Sequence, residues 1–174
     1  MGPVSSDEIN RYLKQTRDLY GDELFVELGP MPSEKTTSED KPQAIQSDFA
    51  SDLSSFHQDI HQCQQCALAH SRANFVFGVG DQNASLVLVG EAPGEQEELK
   101  GEPFVGQAGE LLDKILAAID RSREKDVYIC NVLKCRPPNN RDPVAEEVEQ
   151  CEPYLIHQIN LIQPKLIVAL GRVA

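Results

Sequence analysis

Four of the five cysteines constrain this chain more than any other feature of its sequence. Cys63 and Cys66 form a Cys-x-x-Cys turn, whereas Cys135 and Cys151 lie further along the chain and well apart from each other. Four thiolates in such a set suit either a tetrahedral zinc ion or an iron–sulfur cluster. The spacing favours the cluster, because a structural zinc ribbon normally has two tight knuckles and the second pair is too open to form one.

Two other roles remain open for these cysteines. Disulfide bonds are disfavoured, because the N-terminal residues show no secretory signal and we therefore expect a cytoplasmic, reducing environment. Burial as apolar side chains without any metal is the second alternative, since cysteine is among the residue types most often buried. The fifth cysteine, Cys130, lies in an apolar run and is predicted to be a packed core thiol.

The composition predicts one globular domain and no membrane partner. The chain has 174 residues, 40% of them hydrophobic, and no apolar run is long enough to cross a bilayer. A net charge of −12 is unfavourable for contact with nucleic-acid phosphates. Residues 127–141, however, contain no acidic residue, and a local basic strip there is predicted to contact a DNA backbone through Lys134, Arg136 and Arg141.

The chain divides near residue 50. Residues 7–28 are predicted to form an amphipathic helix, and residues 29–47, rich in proline, serine, threonine and charged residues, a flexible linker. We therefore expect an acidic N-terminal segment over residues 1–50 and the functional domain over residues 51–174.

Apolar periodicity in the second part predicts alternating helices and strands. Strands are expected at 85–89, 127–133 and 165–170, and helices at 53–60, at 107–120 and from Asp142-Pro143 onward, the last kinked or divided at Pro153. The helix at 107–120 has one apolar face, formed by Leu111, Leu112, Ile115, Leu116 and Ile119. This order is typical of an α/β fold, a three-layer α/β/α sandwich with a central parallel sheet.

Two loops are candidates for a functional site, because functional groups in parallel sheets gather at the carboxyl ends of strands. The first strand runs into residues 90–94, Gly-Glu-Ala-Pro-Gly, and the second ends near Asn131. Glycine lets a ligand approach the backbone closely, and the proline turn holds the carboxylate of Glu91 in one direction.

Together these motifs resemble the family 4 uracil-DNA glycosylases, iron–sulfur enzymes of bacteria and archaea. The likeness runs from Cys63 to Ala174. It includes the Cys-x-x-Cys turn, Val76-Phe77-Gly78, the 90–94 motif, Gly-Glu-Pro-Phe-Val-Gly-Gln-Ala-Gly at 101–109, Asn-Val-Leu-Lys-Cys-Arg-Pro-Pro at 131–138, Asn-Arg-Asp-Pro at 140–143, Cys151 and Val-Ala-Leu-Gly-Arg at 168–172.

The resemblance implies a cofactor, a substrate and a reaction. A 4Fe-4S cluster would be bound by Cys63, Cys66, Cys135 and Cys151, and the central sheet would have four parallel strands, three of them present here. The substrate would be uracil-containing DNA. The uracil nucleotide is flipped out of the stack, and its N-glycosidic bond is then cleaved by water.

It also implies roles for individual residues. The carboxylate of Glu91, with Glu97 as a second contributor, would orient the water and stabilise the positively charged sugar. Phe104 would stack on the flipped base, and Asn131 would hydrogen-bond the uracil edge. The amide of Ala92 would hold the uracil O2 as the base leaves.

The family continues beyond residues 170–172 into a helix, a fourth strand and a His-Pro motif, whereas this sequence ends at Ala174. None of the four histidines lies in such a motif. We therefore expect a chain that lacks the C-terminal part, with strand 165–170 as an uncovered sheet edge, poor solubility and reduced uracil excision. The complete protein is expected to be a monomer.

Three alternatives differ in function. A related glycosylase family has an apolar residue in place of the motif glutamate, and Glu91 argues against it. Another relative has glutamine at the next position and bonds covalently to DNA, and Ala92 argues against that one. The non-enzyme alternative is an iron–sulfur module that binds DNA or a protein partner but has lost catalysis.

Overall fold

A four-stranded sheet forms the centre of the computed structural model, which describes residues 49–172 and 174. The strands are β1 (Val79–Gly80), β2 (Leu86–Gly90), β3 (Val127–Asn131) and β4 (Leu166–Ala169), in the order β1-β3-β2-β4. β2 pairs in parallel with β3 and β4, whereas β1 pairs antiparallel with β3. The predicted α/β class is confirmed. The sheet is mixed and not wholly parallel, because the antiparallel strand β1 joins it. The sequence did not predict β1, since two residues are too few to show any periodicity.

The helices are α1 (Leu53–Ile60), α2 (Glu95–Lys100), α3 (Gln107–Ala118) and α4 (Ala145–Ile162). Alternate side chains of a strand point to opposite faces of its sheet. One face packs in a core with α1 and α4 through Val87, Val89, Tyr128 and Cys130. The other packs against α3 through Leu86, Leu88, Val127 and Ile129. The predicted layers on both faces are therefore present, and Cys130 is the core thiol that was expected.

The predicted N-terminal segment lies almost entirely outside the described residues, including the helix at 7–28 and the linker at 29–47. Its last two residues, Phe49 and Ala50, belong to the domain. The Phe49 ring lies 5.0 Å from that of Phe56, measured between centroids, and His157 Nε2 lies 3.0 Å from the Ala50 carbonyl oxygen. Within residues 49–172, no helix is both long and apolar enough to span a membrane.

Two helix predictions need correction. Only Leu112 and Leu116 of the apolar face of α3 are buried, because residues four apart form one stripe against the sheet. The neighbouring stripe is exposed by more than half at Leu111, Ile115 and Ile119. α4 begins at Ala145, later than the predicted Asp142-Pro143 start, and it runs through Pro153 without dividing.

Glu147 fixes the start of α4. Its carboxylate accepts hydrogen bonds from both terminal nitrogens of Arg141, at 2.6 and 2.9 Å, and from the Val144 amide at 3.1 Å. The Arg141 hydrogen bonds hold the pKa of Glu147 below its ordinary value of 4.5. A carboxyl with a lowered pKa in the folded state stabilises the fold above its unfolded pKa, and this contribution is lost as the pH falls through the folded value.

Glu147→Gln is therefore expected to lower the free energy of unfolding by about 1–2 kcal/mol at pH 7. The difference from the parent should shrink below pH 4.5, where the parent carboxylate also becomes protonated. Urea unfolding between pH 3 and 7 measures both effects, with the exposed neighbour changed in Glu146→Gln as the control. If the free energy of unfolding of Glu147→Gln stayed below that of the parent by the same amount from pH 3 to pH 7, the ion pair would not be the source of the difference.

Candidate active site and metal centre

Gly90, Phe104 and Asn131 meet at the carboxyl end of the sheet. Gly90 and Asn131 are paired as the last residues of β2 and β3. A Cβ atom added at Gly90 would lie 2.6 Å from Cζ of Phe104 and would also overlap the amide oxygen of Asn131. The absence of a side chain at Gly90 therefore lets the Phe104 ring and the Asn131 amide meet here. The sequence had predicted that the two loops following β2 and β3 lie at this same end of the sheet.

The side chain of Asn131 lies beside the Phe104 ring at this end of the sheet. Asn131 is only 2% exposed, and the hydrogen bonds between it and other described residues use its backbone atoms. Its backbone oxygen accepts a hydrogen bond of 2.7 Å from Lys134 Nζ, which fixes the end of β3.

The Phe104 loop is held from both sides. Oε1 of Glu97 accepts hydrogen bonds from the amides of Val105 and Gly106, at 2.9 and 3.0 Å. On the other side, Arg123 donates to the carbonyl oxygens of Pro103, at 2.8 Å, and of Phe104. One oxygen of Glu97 thus positions the loop, and its role as a second contributor to the reaction stays a prediction.

Glu91 and Ala92 directly follow β2 at the same end of the sheet. The carbonyl oxygen of Glu91 accepts a 3.0 Å hydrogen bond from the Leu133 amide, so the backbone here is fixed to the chain after β3. The side chain of Glu91 is partly exposed, and within residues 49–172 its carboxylate has no hydrogen bond or ion pair. Their predicted roles in water activation and O2 binding fit this position.

The three basic residues that were predicted to contact DNA, Lys134, Arg136 and Arg141, each lie near a polar or acidic side chain of the protein. Lys134 is fully buried and donates to Asn131 and, at 2.6 Å, to Gln158 Oε1, so its predicted contact with a DNA phosphate is wrong. Burial also lowers the pKa of Lys134. Arg136 lies near the carboxylate of Glu98, and Arg141 is paired with Glu147, so their DNA contacts remain predictions.

The four predicted metal ligands, Cys63, Cys66, Cys135 and Cys151, line one pocket, and none of them is in a disulfide. Three of the four sulfurs lie near hydrogen-bond donors. The Tyr154 hydroxyl donates to Cys63 Sγ at 3.2 Å, the Lys134 amide lies 3.3 Å from Cys151 Sγ, and Arg72 Nη1 lies 3.6 Å from Cys135 Sγ.

Such donors fit thiolates that carry negative charge, and N–H···S contacts of this kind surround cluster ligands. Burial raises the pKa of Cys151 to about 11 and also raises that of Cys135, so metal binding here must release protons. Within the described residues, no group of three or more His, Cys, Asp or Glu side chains is arranged to hold a metal ion.

Several residues that shape both sites were missed by sequence reasoning. Arg72 and Tyr154 contact the cysteine sulfurs, Arg123 holds the Phe104 loop, and Gln158 accepts from the buried Lys134. None of them lies in a motif that suggested chemistry. Their roles depend on contacts across 19 to 91 residues of chain, which only the fold reveals.

Comparison with known proteins agrees with this geometry. Residues 77–174 match the family model described as Uracil DNA glycosylase superfamily. The Type-4 uracil-DNA glycosylase of Archaeoglobus fulgidus is 59% identical over 116 residues, which cover 67% of this chain and 58% of that protein. The Type-4 enzyme of Thermotoga maritima is 50% identical over 66% of this chain and 59% of its own length.

A Type-5 uracil-DNA glycosylase of Pyrobaculum aerophilum is less similar, at 35% identity over 55% of this chain and 48% of its own length. The chain thus spans a little over half the length of the Type-4 relatives it matches. The family match covers more than half of the chain, including the pocket formed by Gly90, Phe104 and Asn131. The chain therefore belongs to the uracil DNA glycosylase superfamily.

Proposed function

We propose that this protein acts in DNA repair as a Type-4 uracil-DNA glycosylase, which flips uracil out of DNA and hydrolyses its N-glycosidic bond. One observation carries the proposal: the amide of Asn131 and the ring of Phe104 meet over Gly90 at the carboxyl end of the sheet. An aromatic face beside a buried amide is the arrangement that reads a single flipped base.

The pocket suits a pyrimidine edge. An asparagine amide both donates and accepts, so it can pair with a carbonyl and with the imide N–H of uracil. Stacking on the Phe104 ring adds about 1–3 kcal/mol per base. Any side chain at position 90 would overlap the Asn131 amide and the Phe104 ring, which explains why glycine ends β2.

Cleavage separates charge, because the sugar becomes positive while uracil leaves as an anion. Glu91 follows Gly90 directly, so its carboxylate can orient a water molecule and stabilise the sugar. The backbone amide of Ala92 can donate to the anionic uracil O2. Glu97 contributes indirectly, since it holds the loop that carries Phe104.

A 4Fe-4S cluster is proposed on Cys63, Cys66, Cys135 and Cys151. The common pocket and the donors on three sulfurs support this assignment, whereas the described residues hold no three ligands already gathered around one metal-ion position. When bound, the cluster would supply a cross-link between distant parts of the chain. Because Lys134 lies beside Cys135 and donates to both Asn131 and Gln158, the chain between Asn131 and Cys135 would be fixed at both ends.

Uracil release from a single-stranded oligonucleotide tests the proposed activity. The 174-residue chain should leave an abasic site at deoxyuridine, detected by alkaline cleavage, and should leave a matched thymidine strand intact. Gly90→Ala should lose most of this activity, because the added methyl group would displace the Asn131 amide and the Phe104 ring, which both lie within 2.7 Å of its position. Tight binding without any release would instead support the alternative, a catalytically impaired iron–sulfur module that binds DNA.

A further inference from the structure

Arg123 makes three contacts around the aromatic residue of the pocket. Its two terminal nitrogens donate to the carbonyl oxygens of Pro103 and Phe104, and its Nε donates to Asp113 Oδ1 at 2.6 Å. The side chain is 20% exposed, so most of the guanidinium is enclosed by this loop and by α3. A planar fork with donors in fixed directions can serve two carbonyls and a carboxylate at once.

The backbone of Phe104 needs such support. Its φ angle is +54°, a left-handed conformation that residues with large side chains rarely adopt. Glu97 holds the next two amides, and a Cβ atom at Gly109 would overlap the Phe104 carbonyl, so α3 packs directly against the loop. Arg123 supplies the hydrogen bonds to the two carbonyl oxygens of this turn, while Glu97 holds its amides.

We propose that Arg123 is a positioning residue for base recognition, which acts by holding Phe104 in the left-handed conformation that directs its ring over Gly90. This inference rests on the proposed function, since it takes the ring to be the surface on which uracil stacks. Without the guanidinium, Phe104 relaxes towards a negative φ angle and the ring leaves the pocket.

A double-mutant cycle tests the proposal in the full chain. Binding is measured by fluorescence anisotropy with an oligonucleotide carrying 2′-fluoro-deoxyuridine, which resists cleavage, and with a thymidine strand as reference. Arg123→Ala should weaken uracil-dependent binding about tenfold, within the range expected for loss of one stacked base. In a Phe104→Ala background the same change should have less than about a twofold effect, because the ring it positions is gone.

Arg121→Ala is the matched control. Arg121 also pairs with a carboxylate and donates to a backbone carbonyl, both from Asp126, but it does not contact residues 103–104. It should leave binding unchanged. Arg123→Lys keeps the charge without the fork and should bind nearly as weakly as Arg123→Ala. Full recovery with lysine would mean that Arg123 acts as a charge on DNA and would overturn the proposal.

The ring resonances of Phe104 in the free protein, assigned by comparison with Phe104→Ala, separate this inference from the proposed function. Arg123→Ala should shift them, and Arg121→Ala should not. If the parent protein bound uracil and thymidine strands equally, but Arg123→Ala still shifted the Phe104 resonances, the proposed function would be wrong and the positioning role of Arg123 would be supported. Unchanged ring resonances, or equal losses of binding with and without Phe104, would overturn the positioning role.

Discussion

Replacing Cys135 by serine is expected to remove the proposed 4Fe-4S cluster and most of the fold's stability. The parent, purified anaerobically, should be yellow-brown, with broad absorption near roughly 400 nm and about four iron atoms per chain. The variant should retain less than about one iron per chain and lose this absorption. Its unfolding transition should also become broader and begin at lower urea concentration, because metal-binding free energy is folding free energy at such a site.

The effect should be large at this cysteine because of its neighbours. Cys135 is buried, follows the fully buried Lys134, and lies near Arg72, which also donates to the Cys63 carbonyl at 2.5 Å. Loss of its sulfur therefore disturbs the Cys-x-x-Cys segment and the chain that leads back to Asn131 together. The matched control is Cys130→Ala, which alters an equally buried cysteine in the core.

Cys130→Ala should keep its iron and its colour, since Cys130 does not line the cysteine pocket. Parent protein matured in its own host that contained stoichiometric zinc and no iron would contradict the cluster assignment. Equal iron in the parent and in Cys135→Ser would exclude Cys135 as a ligand, and Cys135→Ala would then show whether the serine oxygen had replaced the sulfur.

The sheet and the position of the site were predictable because they depend on local patterns. The runs at 85–89 and 127–133 are apolar on both faces, as buried parallel strands must be, and both continue into loops at the same end of the sheet. The pairing of Gly90 with Asn131 follows from that arrangement. β4 is an edge strand of the sheet in the described part of the chain, and its Leu166 and Ile167 are exposed.

The roles of charged side chains were not predictable from local sequence. Lys134 lies in a stretch without acidic residues, and charge alone suggested contact with phosphate. The fold instead buries Lys134 fully beside α4, where Gln158, 24 residues away, accepts its hydrogen bond. Glu97 and Arg123 hold the Phe104 loop from opposite sides, because a carboxylate or a guanidinium can satisfy several backbone groups at a tight turn. Such partners are set by tertiary packing.

Replacing Asn131 by alanine is expected to slow uracil excision by about 10²–10³-fold, the usual cost of losing one donor to a developing anion. The Asn131 hydrogen bonds to uracil should strengthen as the base leaves with negative charge, so the loss should fall on the rate of the bound complex. Single-turnover excision at saturating enzyme measures that rate directly. Phe104→Ala should instead weaken binding by about 5–150-fold, with a smaller change in the bound rate.

The structure indicates that Asn131→Ala will leave the fold intact. Asn131 is tied to its neighbours through backbone atoms, by its pairing with Gly90 and by the hydrogen bond from Lys134 to its carbonyl oxygen, and alanine keeps both. Only the side-chain amide is removed, so the urea midpoint should change little. Asn83→Ala, at an exposed turn before β2, is the matched control and should excise uracil at the parent rate.

A split between the two pocket variants would separate chemistry from binding in one site. The amide acts on the charge that appears during bond cleavage, whereas the ring acts on a base that is equally flat before and after. If Asn131→Ala and Phe104→Ala both excised uracil as fast as the parent, the space over Gly90 would not be the base pocket. A slow Asn131→Ala variant with unchanged stability would place the leaving base against that amide.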